Sequence, residues 1–78
     1  MKHGHYFKKV THLDGIDIYR VLELFEVTDP CLQHAIKKLL CAGSRGAKDE
    51  EQDVQEAIDT LLRYQDMKVE EESHGMLA

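Results

Sequence analysis

Seventy-eight residues and 9.0 kDa allow one small domain, and a chain of this size buries only about 60–65% of the surface it exposes when unfolded. The composition is 42% hydrophobic and 32% charged, with one Pro and five Gly, which excludes collagen-like and low-complexity classes and argues against wholesale disorder. The net charge of −5 is uneven: residues 1–45 carry seven Lys/Arg against five Asp/Glu, and residues 46–78 carry three against ten. An acidic chain has no general attraction for long nucleic acid, so an anion bound by the basic half is expected to be small and locally held.

No apolar run approaches the roughly 18 residues that a membrane span needs, and no signal-peptide pattern opens the chain. A soluble intracellular protein without membrane contact is therefore expected. Cys31 and Cys41 are too few for a disulfide framework. On one helix, ten residues of rise would separate them by about 15 Å, too far to bridge, so both read as reduced packing residues. With so thin a core, association with further copies is the remaining way to gain burial.

Residues 1–13, MKHGHYFKKVTHL, carry no helical stripe and read as an extended arm. Its histidines form an HxH pattern without a third spaced ligand, so no metal site is expected. Asp14 and Asp17 open a short helix over 14–26, with Ile18, Val21, Leu22 and Phe25 on one apolar stripe. Phe25 reads as core; Tyr19 lies off the stripe, beside Arg20. Thr28 or Asp29 can cap the next helix, with Pro30 in its first turn. If Thr28 is the cap, Val27 and Leu32 form a hydrophobic staple. That helix spans 29–42, with Leu32, Ala35, Ile36, Leu39 and Leu40 on its apolar stripe, and Gly43 stops it. Asp49 and Gln52 make a capping pair for a helix over 49–70, with Val54, Ala57, Ile58, Leu61 and Leu62 as its stripe. Residues 71–78 read as a frayed acidic tail. The fold class is all-α: a short helix followed by an antiparallel helical hairpin in a single domain.

Off the apolar stripe, His34, Lys37, Lys38 and Cys41 recur at i, i+3, i+4 and i+7, and Arg45 follows in the turn. Such a basic ridge suits phosphate, whose oxygens accept charge-assisted hydrogen bonds from ammonium and guanidinium groups. The alternative is a solvated face whose lysines pair with carboxylates of a neighbouring element. The turn AGSRGAKD, flanked by Arg45 and Lys48, precedes a helix N-terminus and is a second anion candidate, although it lacks P-loop spacing and also reads as an ordinary interhelical turn. Tyr19 and Tyr6 are candidate stacking aromatics; packing against a neighbour is the plainer role for either. No nucleophile, base and orienting group come together, so neither enzymatic activity nor a cofactor is expected.

The stretch from Asp17 to Arg63, DIYRVL and then DPCLQHAIKKLLCAGSRGAKDEEQDVQEAIDTLLR, resembles the helical-hairpin domain of phage anti-CBASS cyclic-oligonucleotide sponges. The hairpin is similar to that of the anti-Thoeris sponges, which take up cyclic ADP-ribose isomers. The resemblance implies a homohexamer in the cytoplasm of an infected bacterial host. Its ligands would be cyclic dinucleotides such as cyclic GMP-AMP, held between protomers, with cyclic trinucleotides at separate sites. Sequestration without cleavage would starve a host effector of its signal. Tyr19 in DIYR fits the family's stacking aromatic, and Lys37 or Lys38 in HAIKK fits its phosphate-binding lysine; Arg45 and Lys48 fit a second site less closely. The competing readings are a helical adaptor or regulatory module that binds a host protein, and a small nucleotide-processing enzyme or enzyme accessory.

Overall fold

Each helix begins at an aspartate that satisfies the otherwise unpaired N–H groups of its first turn. The computed structural model describes residues 4–44 and 49–75. Over these the chain is all-helical, with a 3-10 turn at Gly4–Tyr6, then α1 (Ile18–Leu24), α2 (Pro30–Leu40) and α3 (Glu50–Gly75), and no strand among the described residues. Asp17 Oδ1 accepts the Arg20 N–H at 2.9 Å and caps α1. Asp29 Oδ1 accepts the Cys31 and Leu32 N–H groups at 2.8 and 3.0 Å and caps α2, with Pro30 directly inside. Asp49 Oδ1 accepts the Gln52 N–H at 2.7 Å at the start of α3.

The caps refine the expected boundaries. Asp14 lies outside α1. Asp29, not Thr28, caps α2, which shifts the frame by one residue and removes the Val27–Leu32 staple. A polar link stands there: Gln33 Nε2 donates to the Val27 carbonyl at 2.7 Å. α3 runs through Gly75, beyond the point where fraying was expected. The described part of the arm is largely non-helical, and Lys8 Nζ lies 5.3 Å from the centre of the Phe25 ring. Phe25 is exposed rather than core.

α1 ends in a Schellman motif, in which the Glu26 N–H bonds the Glu23 carbonyl and the Val27 N–H bonds the Leu22 carbonyl. Glu26 adopts φ 55°, in the left-handed region where glycine is usual. α2 ends at Cys41, and Gly43 follows with φ 77°. A Cβ on Gly43 would lie 3.3 Å from Glu50 Cβ, so glycine permits both the turn and the close approach of the next helix.

α2 packs against α3. The buried residues at the centre of the fold are small or charged: Cys31, Ala35 and Lys38 on α2, and Asp53 and Ala57 on α3. Of the expected stripes, α1 contributes Leu22 to the buried residues, and α2 and α3 contribute only Ala35 and Ala57. Leu39, Leu40 and Ile58 remain 50%, 59% and 44% exposed, and Val54, Leu61 and Leu62 are exposed as well. Both cysteines are free thiols.

Glu26 yields a test of the α1–α2 corner. The left-handed conformation costs a non-glycine residue about 1–2 kcal/mol, whereas glycine loses an extra 0.4–1 kcal/mol or so to its freer unfolded chain. Glu26→Gly is expected to raise the thermal midpoint by a few degrees. An unchanged or lower midpoint would show that the Glu26 side chain stabilises the corner in another way.

Candidate functional site

Cavity lining begins with the Schellman motif. It turns the chain so that Leu22 and Val27 come together beside the start of α2. The cavity between α1 and α2 has a volume of about 380 Å³ and is lined by Leu22, Val27 and Pro30 on its apolar side and by Tyr19, Glu23, Gln33, His34 and Lys37 on its polar side. Tyr19 and Glu23 are one turn apart on α1, and His34 and Lys37 are one turn apart on α2, so two helix faces converge.

Lys37 Nζ lies 5.2 Å from the centre of the Tyr19 ring. That cation–π contact brings together an ammonium and an aromatic face, the two groups wanted by a phosphorylated base. Tyr19 is 68% exposed, so most of its ring remains open to a ligand. A second cavity of about 250 Å³, lined by Asp17, Tyr19, Arg20 and Glu23, adjoins the first. Tyr19 and Glu23 border both. Glu23 Oε1 is paired with Arg20 Nη1 at 2.5 Å on the α1 surface.

The expected basic ridge divides between two environments. His34 and Lys37 line the cavity. Lys38, turned about 100° further round the helix, is buried against α3 instead. Its ammonium is 2.5 Å from Glu56 Oε1 and 3.9 Å from Asp53 Oδ1, and Asp53 is fully buried. Asp53 Oδ2 accepts the Gly43 N–H at 2.9 Å and ties the end of α2 to α3. Lys38 is thus a fold residue, the neighbour-pairing role that the sequence left open for the ridge. Tyr6 sits in the 3-10 turn with its ring centre 4.0 Å from that of His5, and it lines neither cavity. Arg45 and Lys48 lie outside the described residues.

Glu23 and Gln33 were not singled out from the sequence. Glu23 is one helical turn beyond Tyr19 and was available on spacing alone; Gln33 emerges only once Asp29 is known to be the cap. Among the described residues, no three His, Cys, Asp or Glu converge as metal ligands, and no helix is long and apolar enough to cross a membrane.

The division between Lys37 and Lys38 predicts unequal losses of stability. Lys38→Ala removes the ammonium shared by two carboxylates and is expected to destabilise the fold by about 3–5 kcal/mol, a large part of a small domain's stability. Lys37→Ala loses a partly exposed cation–π contact worth about 0.5–1 kcal/mol. Urea denaturation followed by circular dichroism separates the two, and equal losses would refute the division.

No family model, curated protein or solved structure matches the chain.

Proposed function

We propose that the protein is a non-enzymatic sponge that binds cyclic dinucleotides intact in the Tyr19–Lys37 cavity and so withholds them from a host effector of the CBASS type. The observation that carries this reading is the Lys37 ammonium held 5.2 Å from the Tyr19 ring centre in a cavity between two helices. Tyr19 stacks on a base, Lys37 bonds a phosphate oxygen, and His34 adds a further polar group beside the phosphate. A cyclic dinucleotide has two bases and two phosphates, so a two-fold pair of protomers supplies each group twice. A second class of site for cyclic trinucleotides belongs to the same reading, with Arg45 and Lys48 as its candidate residues. The reading places the protein in the cytoplasm of an infected bacterium.

Assembly follows from an antiparallel α2–α3 hairpin. Two contacts support that direction: Gly43 meets Asp53 at the turn, and Lys38, earlier in α2, meets Glu56, later in α3. On α2, Leu32, Ile36 and Leu39 each follow an α3-facing residue by one position. On α3, Val54 and Ile58 likewise follow Asp53 and Ala57, and Leu61 lies one turn beyond Ile58. In an antiparallel pair, both rows turn to the same side and form one apolar face two helices wide, away from the cavity. A radius of gyration of 16.0 Å, against about 11–12 Å for a compact domain of this length, supports a protomer that completes its core with other copies. The proposed assembly is a homohexamer, in which the apolar face and the cavity side supply separate contacts.

Calorimetry with cyclic GMP-AMP tests the binding reading. The parent is expected to bind and to release the ligand uncleaved after heat denaturation. Tyr19→Ala is expected to weaken binding at least about fivefold and Lys37→Ala at least about tenfold, from a stacking contribution of about 1–3 kcal/mol per base and a charge-assisted hydrogen bond of about 1.5–3 kcal/mol. Cleaved ligand would identify an enzyme, and a parent that binds no cyclic di- or trinucleotide would leave the adaptor reading, which the exposed apolar face favours.

For assembly, light scattering should give six times the 9.0 kDa chain mass. Ile58→Asp should lower it by placing a charge on the apolar face. A monomeric parent at micromolar concentration would overturn the shared-pocket arrangement.

A further inference from the structure

Among the described residues, Glu23 is the one carboxylate lining the cavity that holds Tyr19 and Lys37, and binding a polyanion gives it no role. An acidic group beside a phosphate site weakens phosphate binding unless it meets another part of the ligand. Its position indicates which part. Glu23 stands one helical turn from Tyr19, within about 5–6 Å along the same face, and with Tyr19 it borders both adjoining cavities. The Lys37 ammonium stands over one face of the Tyr19 ring, and a base stacked on the other face has its edge within reach of Glu23 on the next turn. The side chain is 66% exposed and so reachable, while the Arg20 guanidinium restrains its Oε1. An ionised carboxylate accepts about four hydrogen bonds, so the Arg20 contact leaves acceptor capacity on both oxygens.

We infer that Glu23 is a specificity-determining residue that selects nucleobases whose edge carries two adjacent N–H donors, which favours guanine over adenine. The inference rests on the sequestration reading of the same cavity. Guanine offers N1–H and N2–H side by side, a match for the two carboxylate oxygens. Adenine offers one N6–H donor next to the N1 lone pair, and that lone pair would face a carboxylate oxygen. A site built to accept a pair of donors rejects an analogue that lacks one of them, because an acceptor is then desolvated without a partner. With two bases in the ligand, the discrimination is applied at each.

Titration calorimetry of the full chain with cyclic di-GMP and cyclic di-AMP tests this. The parent is expected to bind cyclic di-GMP at least tenfold more tightly. Glu23→Gln replaces one acceptor by an N–H₂ donor that suits the adenine edge, so the preference is expected to fall within threefold or to invert. Arg20→Gln breaks the surface ion pair but keeps the carboxylate, and the guanine preference is expected to persist at tenfold or more. A parent that binds both ligands within threefold, or a preference that survives Glu23→Gln, would overturn the inference and leave Glu23 as a solvated partner of Arg20, with the sequestration reading intact. Binding of neither ligand, nor of any other cyclic di- or trinucleotide, would overturn that reading itself. Should Glu23→Gln lose its helical signal, Glu23→Ala, which removes both acceptor oxygens, is expected to bring the preference within threefold, and a preference that survives it would overturn the inference.

Discussion

The Lys38 ammonium, buried between α2 and α3 beside Glu56 and Asp53, is the interaction on which the rest of the structure depends. Charges buried in so small a fold are tolerable only when paired and hydrogen-bonded. Here the pairing also sets the rotation of α2 about its own axis. Once Lys38 faces α3, Lys37 is turned about 100° away and faces α1, where the Tyr19 ring lies 5.2 Å from its ammonium. Two adjacent lysines of the same chemistry thus have different uses, one in holding the helices together and one in forming the cavity. The Asp53–Gly43 bond extends the same arrangement into the turn.

The helix contact built around that pair is made of small residues. Cys31, Ala35 and Ala57 allow close approach, and the large side chains of the same helices lie beside the contact rather than in it. Burial of apolar surface stabilises by about 25 cal/mol per Å², so leucines and isoleucines left half in water are stabilisation that the single protomer does not realise. In the proposed hairpin they gather on one side, opposite the cavity. Under the proposed function the two sides have separate tasks: the apolar side would join copies, and the side bearing α1 would take a ligand whose charge and aromatic faces match Lys37 and Tyr19. Closed assemblies with more than one kind of contact require such separation of surfaces.

The elements were more legible in the sequence than their faces. The sequence offered Asp17 together with Asp14, Asp29 together with Thr28, and Asp49 as helix starts, because capping is local chemistry, and the stop at Gly43 followed for the same reason. The inward faces did not follow. The 3,1,3,1 spacing of Leu, Ile and Val marks which side of a helix is apolar, but α2 and α3 meet along the neighbouring row, where Cys31, Ala35 and Lys38 oppose Asp53 and Ala57. A charge-complementary row of small residues competes poorly with leucines in any hydrophobicity pattern, yet its own 4,3 spacing was readable. In the candidate site, Tyr19, His34 and Lys37 were legible from their place off the stripe. Lys38 was indistinguishable from Lys37 until a partner on α3 was known. Leu22 and Val27 meet through the left-handed Glu26, a residue type that gives no turn signal. Glu23 lies off the stripe with Tyr19, but a glutamate on a short exposed helix resembles ordinary solvation and gives no site signal.

The central claim is that Lys37 and Tyr19 meet the ligand while Lys38 belongs to the fold. Nuclear magnetic resonance of the full chain, observing the lysine side chains and tyrosine rings while cyclic GMP-AMP is added, tests it most directly. The account predicts that the Lys37 side-chain and Tyr19 ring signals move with the titration, and that the Lys38 signal, held by Glu56 and Asp53, stays in place. A titration that moves Lys38 and leaves Lys37 and Tyr19 unchanged would contradict it.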